Sequence, residues 1–418
     1  MPECTEGNLP PPLASVPPLL APASSGSSVR PLLSTLLSLC LGFFIADALI
    51  SVADDVSMVF LNVHFLAGFR LVVALFALLT AVVVYVLMAI TPMIPKRFFV
   101  PVTLFNPAAL LLGVLFMIYY FDRMVWIDLA FSVGQLVFGL WILYRVQGGI
   151  KVRWPLVPIE RLGTRGFSWV NLGGFVTANV LLVPAVLVFL VVCTSLAVNH
   201  FSGGFMALRP SGFTVQMRKY VRDDGKTVAL FPMAHVADAV FYRDISRAFP
   251  TNSIILLEGV TDRNNLLTNP ISYKHMAASL GLAEQHEVFA PARGRKVRAD
   301  VDISSFSTNT LAMLNLVMLV HANGMNPDVM QQFMVYPQSP QLQAELFDDL
   351  LNKRNAHLLD ELNVRLAQTD NIIVPWGVAH MPGIAREILK DGFRLAEIHD
   401  YTVIRFGGGG TQAGSAAR

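Results

Sequence analysis

Residues 371–384 read NIIVPWGVAHMPGI. Ile372, Ile373, Val374 and Pro375 form a short apolar run of the kind that makes a buried strand. Trp376 and Gly377 follow, then His380, and Pro382-Gly383 looks like the opening of a helix, where proline is tolerated in the first turn. The stretch therefore predicts a strand that ends by delivering an imidazole into a strand-to-helix turn.

The same pattern occurs twice more. A strand ending near Met233 leads to His235, and the strand 253–257 ends in Glu258 followed by Gly259. In open α/β sheets, ligands sit beyond the carboxyl ends of the strands, where helix N-termini also converge. If the three strands are neighbours, His235, Glu258 and His380 share one crevice. The surrounding sequence supports a sheet. GFTVQMRKYVRDDGKTVALFPM, residues 212–233, reads as two alternating strands around an Asp-Asp-Gly turn. It feeds AHVADAVFYRDISRAF, in which Val240, Phe241, Ile245 and Phe249 recur at helical spacing. KVRADVDISS (296–305) alternates like a further strand, and residues 339–368 read as one long amphipathic helix. A helix over 383–391 and a strand near 394–405 complete a mixed α/β domain with a central sheet flanked by helices.

The first half of the chain is of a different kind. The 418 residues are 54% hydrophobic and 14% charged, too apolar for an ordinary soluble enzyme of this length. The apolarity lies before residue 200. After a Pro- and Ser-rich stretch (1–28), expected to be disordered, five apolar segments follow at 31–53, 70–93, 100–121, 125–144 and 171–197. Each is about as long as the ~20 residues that a helix needs to cross a bilayer, or longer, so an α-helical membrane bundle of about five spans is expected, with four as the fallback. Asp54 and Asp55 close the first segment, and a leader with Arg30 as its only positive charge makes a poor cleaved signal peptide. TLAMLNLVMLVHA (310–322) is too short for a sixth span and is expected as a buried or membrane-surface helix. The organisation is thus a tail (1–28), a membrane region (29–198), an α/β domain (199–406) and a Gly-rich tail (407–418), also expected to be disordered.

Charge sets the orientation. The loop between the fourth and fifth segments carries Arg145, Lys151, Arg153, Arg161 and Arg165 against Glu160, and the loop between the second and third carries Lys96 and Arg97. The positive-inside rule then places the N-terminus in the cytoplasm and the α/β domain outside a cytoplasmic membrane. The lipid bilayer is the first expected partner. A net charge of +2 with no basic stripe gives no reason to expect nucleic acid. Cys4, Cys40 and Cys193 offer neither a disulfide framework nor a cysteine zinc site.

Two imidazoles and a carboxylate can hold a divalent metal with an open position for water. Alternatively, the carboxylate orients one imidazole, which acts on water as a general base. Metal binding needs neutral imidazoles, so affinity would fall as pH drops through about 6.5, the unperturbed histidine value. Taken singly, each residue also has an ordinary structural role, as a hydrogen-bonded strand-end histidine or a turn-capping glutamate. Arg354, His357 and Glu361 share one face of the long helix, which by itself reads as a solvated charge row. Asp300 and Asp302 alternate with Val301; they could orient a ligand histidine or cap the following helix, the second being favoured.

MAHVADAVFYRDI, ILLEGV, VRADVDIS, KRNAHLLDEL and WGVAHMPGI occur in the order and with the character of the TraB/Tiki superfamily. That superfamily includes pheromone-shutdown proteins, the membrane-anchored Tiki metalloproteases and GumN-like proteins, with erythromycin esterase and a haem-binding protein as more distant relatives. The resemblance covers roughly 205–400. The superfamily's paired Gly-x-x-His motifs fall on 232–235 and 377–380. The second is intact (GVAH), whereas Pro232 replaces glycine in the first (PMAH), which leaves the backbone before His235 open. Its acidic strand end falls on Glu258 and its Arg-Asn helix motif on Arg354 and Asn355. The resemblance implies Glu258 and Arg354 as catalytic residues, with Arg354 gripping a substrate carboxylate or an oxyanion. It implies a divalent metal ion on His235, Glu258 and His380. The expected function is a membrane-anchored, metal-dependent hydrolase acting on a peptide or protein outside the cytoplasm. The alternative is an anchored peptide- or haem-binding regulatory module without turnover. A third class would use Asp47 and Asp128 as intramembrane acids in a transport path, but both lie near predicted span ends, where water reaches them.

Overall fold

The computed structural model describes residues 29–149, 153–268, 273–323 and 340–407. The two predicted tails, apart from Gly407, and Lys151 of the basic loop lie outside the described residues. The chain divides into two compact units between Ala185 and Val186.

The first unit is helical, and its last helix runs on past Val186. Helices α1 (Val29–Leu61), α2 (Ala67–Ile90), α3 (Lys96–Tyr119), α4 (Met124–Gln147) and α5 (Trp169–Phe201) are each long and apolar enough to cross a membrane. The chain is a multi-pass membrane protein. Leu37, Leu41, Val84, Met88, Phe99, Ile142 and Val146 form the bundle's core, while α5 buries little of its apolar surface. Cys40 and Cys193 are buried free thiols.

The first helix differs from expectation. It does not close at Asp54–Asp55 but runs on to Leu61. Both carboxylates are buried inside the unit and satisfied there. Asp54 accepts from the Leu66 amide at 2.8 Å and faces His64 Nδ1 at 2.9 Å; Asp55 accepts from Arg70 at 2.7 Å and from Ser132 at 2.5 Å. Acids supplied with partners do not force a helix to end. Asp47 consequently lies near the middle of α1, away from its ends.

The second unit is a mixed sheet with helices on both faces. Its strands are β1 (Met206–Arg209), β2 (Gly212–Val221), β3 (Thr227–Met233), β5 (Ile254–Leu257), β7 (Arg295–Arg298), β8 (Asn371–Gly377) and β9 (Arg394–Arg405); β4 (Val236–Ala237) and β6 (Ala283–Glu284) form a separate two-stranded ribbon. The sheet order is β1-β2-β3-β8-β5-β7, with β9 also on β2. β2 and β3 form the predicted antiparallel hairpin. β3–β8, β8–β5 and β5–β7 are parallel, so the strands leading to His235, His380 and Glu258 are neighbours pointing the same way. KVRADVDISS is a strand only over its first part; beyond Arg298 the contact is a single bridge from Asp302 to Thr261.

Alternation along the strands builds two cores. Val228, Leu230, Ile254, Leu256, Ile372, Val374 and Trp376 face Leu358, Leu362, Ile384 and Ile388. Ala229, Phe231, Ile255 and Ile373 face the opposite layer, where helix α6 (Ala239–Ala248) contributes Phe241, Tyr242 and Ile245. Proline in a strand needs a position that lacks a ladder on one side. Pro232 lies past Leu230, where pairing with β2 stops, and Pro375 lies past Ile373, where pairing with β5 stops.

Short helices α7 (Lys274–Ser279) and α8 (Gln285–Val288) precede β7. The apolar segment 310–322 lies within a single helix, α9 (Thr308–Asn323), too short to span. The long amphipathic stretch is α10 (Pro340–Phe347), a π-helical turn at Asp348–Asn352, and α11 (Lys353–Leu366). The last helix, α12 (Met381–Lys390), starts directly after His380 with Pro382 in its first turn.

Candidate functional site

Glu258, at the end of β5, is met by three groups. Its Oε2 accepts from the Gly377 amide at 2.5 Å, and its Oε1 accepts from Arg354 Nη2 at 2.8 Å. His380 Nε2 stands 3.5 Å from the same Oε1. The Glu258 side chain is 11% exposed, that of Arg354 13% and that of His380 4%, so the group is shielded from bulk water.

His380 is held from its other nitrogen. Nδ1 faces Asn355 Oδ1 at 2.8 Å. An amide oxygen only accepts, so Nδ1 carries the proton and Nε2 presents its lone pair beside Glu258. The imidazole packs edge-on against Trp376 at 5.1 Å, and the indole N–H is tied to the Leu256 carbonyl. Burial pushes the His380 pKa down to about 4; Glu258 and Asp300 oppose the depression, while Arg354 and His235 add to it. The imidazole is therefore neutral at physiological pH.

Arg354 is not on a solvated face. Nε and Nη2 form a fork onto Asp300 at 3.0 and 2.7 Å, and Nη2 also reaches Glu258. Burial by itself would lower the guanidinium pKa, but Asp300 and Glu258 raise it overall. A π-turn rotates the later turns of a helix against the earlier ones and is frequent at functional sites; here one ends at Asn352, two residues before Arg354. His357, on the same predicted face, is exposed. Nε and Nη2 are taken by carboxylates, so Arg354 positions Glu258, while Nη1 makes one 3.4 Å contact to the Leu350 carbonyl.

The two aspartates separate in role. Asp300, with a fully buried side chain, accepts from the Gly259 amide as well as from Arg354. Asp302 caps the turn at Ile303–Ser305 through the Ser304 amide, as favoured from sequence, and the Ser304 and Thr261 hydroxyls hold its carboxyl well below the usual range. Glu258 and Asp300 against Arg354 and a neutral His380 leave one negative charge in excess.

His235 stands apart from this contact network. Its carbonyl accepts from the Gln285 amide at 2.9 Å, and Tyr242 ties down the preceding Ala234 carbonyl at 2.6 Å. Its ring stacks on Tyr273 with 4.7 Å between centroids and 3° between planes. Its proximity nonetheless contributes to lowering the His380 pKa. Among the described residues no three His, Cys, Asp or Glu side chains converge as a metal-ligand group. Of the expected trio, Glu258 and His380 are in direct contact, while the His235 ring is seen stacked on Tyr273 and acts on His380 through electrostatics. Glu258 Oε1 and His380 Nε2 do fit adjacent ligands, since bonds of about 2.0–2.2 Å place tetrahedral neighbours roughly 3.4 Å apart.

Two contributors escaped sequence reasoning. Asn355 was expected only as half of a motif, and nothing in its type announces the histidine that it holds. Tyr273 follows a stretch with no strand or helix periodicity, so no signal pointed to it. Compared with known proteins, the chain matches no family model, no curated protein and no solved structure.

Proposed function

We propose that the second unit is a hydrolase of TraB/Tiki type, anchored by the helices of the first and acting on a peptide outside the cytoplasm. One observation carries the reading. A neutral, unprotonated His380 Nε2 is fixed 3.5 Å from the Glu258 carboxylate, at the carboxyl ends of adjacent parallel strands.

His380 supplies a base for a water proton, with Asn355 fixing its tautomer. Glu258 supplies the negative charge that stabilises the imidazolium formed on proton transfer. Arg354, itself forked onto Asp300, and the Gly377 amide hold that carboxylate in place. The divalent metal that the resemblance implies has two donors here, His380 Nε2 and Glu258 Oε1, and when bound would polarise a carbonyl and lower the pKa of water. The orientation, with the N-terminus in the cytoplasm, rests on the basic loops.

The test is metal analysis and peptide-cleavage screening of the purified full chain beside His380→Ala and Glu258→Gln. Cleavage lost in both variants, with melting temperatures kept, supports the hydrolase. Sensitivity to a strong chelator assigns the metal a part. A peptide bound by the wild type and never cleaved would leave the regulatory-module reading instead.

A further inference from the structure

Asp47 lies near the middle of α1, Asn106 near the middle of α3 and Gln135 near the middle of α4. These three side chains meet. Gln135 Nε2 donates to Asp47 Oδ2 at 2.9 Å and to the Phe44 carbonyl at 3.1 Å, and Asn106 Nδ2 reaches the same Oδ2 at 3.5 Å. Asp47 is 5% exposed, and its donors are neutral amides. No Lys, Arg or His pairs with it among the described residues. An ionised carboxylate at the centre of a span with no countercharge is costly, and such groups are kept where a cation neutralises them.

A second side chain points the same way. Ser51, one turn along α1, is 4% exposed and makes no hydrogen bond among the described residues. Asp47 Oδ1 likewise has no partner there. Among the described residues, the fully enclosed side-chain polar atoms lacking a partner are Arg30 Nε, Arg218 Nε and Ser246 Oγ. Ser51 Oγ and Asp47 Oδ1 are not among them, so each keeps a small accessible surface.

Polarity around this place differs between the two directions along the bundle. Asp47, Ser51, Asp54 and Asp55 follow at i, i+4, i+7 and i+8 on α1, one helical face. Gln135, Ser132 and Asp128 run at the same spacing on α4 towards its start. At that end Asp54, Asp55 and Asp128 outnumber Arg70 and His64, which pair with the first two. In the other direction the stripe meets a cluster of rings. Phe44 packs on Phe105 at 5.7 Å and on Phe138 at 6.3 Å, and Phe105 stacks on Phe138 at 5.8 Å. Gly139 lets α4 close onto α1, since a Cβ there would lie 2.9 Å from Ile45.

We infer that Asp47, with Ser51 and Gln135, is a reversible binding site for a monovalent cation, entered from the Asp54–Asp55–Asp128 end and closed beyond by the Phe44–Phe105–Phe138 cluster. The required chemistry is a single positive charge on an isolated carboxylate, supplied by a sodium ion or by a proton. The inference is independent of the proposed hydrolase.

The experiment uses the full chain in lipid nanodiscs, with radioactive sodium binding at equilibrium and proton uptake after a pH step. Wild type, Asp47→Asn and Ser51→Ala are compared. About one sodium ion per chain, abolished by Asp47→Asn and weakened several-fold by Ser51→Ala, identifies sodium. No sodium binding, with about one proton fewer taken up by Asp47→Asn, identifies the proton. Should Asp47→Asn fail to fold, a changed sodium affinity or proton uptake in Ser51→Ala supports the site and an unchanged one overturns it. A wild type that binds no sodium, and whose proton uptake Asp47→Asn leaves unaltered, also overturns it.

Discussion

His380 is gripped at Nδ1 by Asn355 Oδ1, 2.8 Å away, and this contact decides which nitrogen faces Glu258. The protonated Nδ1 leaves Nε2 as a lone pair on the carboxylate side. Asn355→Leu removes the acceptor, so the tautomer should become mixed and the ring should lose its fixed orientation. Partners of this kind are worth about 10–100-fold in activity or metal affinity. Nitrogen NMR of ¹⁵N-histidine-labelled protein reads the tautomer without any substrate. An unaltered His380 signal in Asn355→Leu would remove the positioning role.

The depressed His380 pKa fixes an acid dependence with a definite sign. The unfolded chain takes up this proton near 6.5, the folded protein only near 4. Between those values the unfolded state binds more protons, so stability present above pH 6.5 is lost as pH falls towards 4. The loss amounts to roughly 3 kcal/mol at 1.36 kcal/mol per pKa unit. Thermal unfolding of wild type and His380→Gln from pH 7 to 4 should show the variant with the flatter profile. The base-dependent limb of any cleavage activity should likewise fall near pH 4, well below the value of about 6.5 expected for an unperturbed histidine. A limb at 6.5 would mean that His380 is not the base.

Much of the architecture was legible because periodicity reports on burial. Apolar runs of span length gave the five helices, and the 212–233 hairpin and the strand before His380 followed from alternation and turn chemistry. Side-chain direction was not legible. His235 and His380 sit in near-identical motifs, yet one ring stacks on Tyr273 while Asn355 holds the other. Both sets of partners come from distant sequence. Asp54 and Asp55 misled for the same reason: charge near a span end reads as a helix stop, and the Ser132 and Arg70 that satisfy Asp55 lie on other helices.

The orientation proposed from the basic loops has a direct check. A reporter active only in the cytoplasm, fused after Phe406, should be silent, whereas the same reporter placed in the 153–165 loop should be active. A strong signal after Phe406 would reverse the assignment and move the proposed peptide substrate to the cytoplasmic side.

Two glycines near His380 differ in what they exclude. A Cβ on Gly383 would come within 2.7 Å of Asn355 Nδ2, whereas a Cβ on Gly377 meets Glu258 Oε2 at 3.4 Å, an ordinary contact. Neither residue has a positive φ, so alanine is acceptable to both backbones and only the space decides. Gly383→Ala must push Asn355 aside and so loosen its hold on His380. It should cost about 1–3 kcal/mol, as overpacking of a tight site does, and reproduce the tautomer change of Asn355→Leu. Gly377→Ala keeps its amide and the bond to Glu258, so its effect should be small. Melting temperatures and histidine NMR of the two alanine variants decide the matter. A silent Gly383→Ala would show that Asn355 can move without disturbing His380, and a severe Gly377→Ala would show that the motif glycine serves a need other than space.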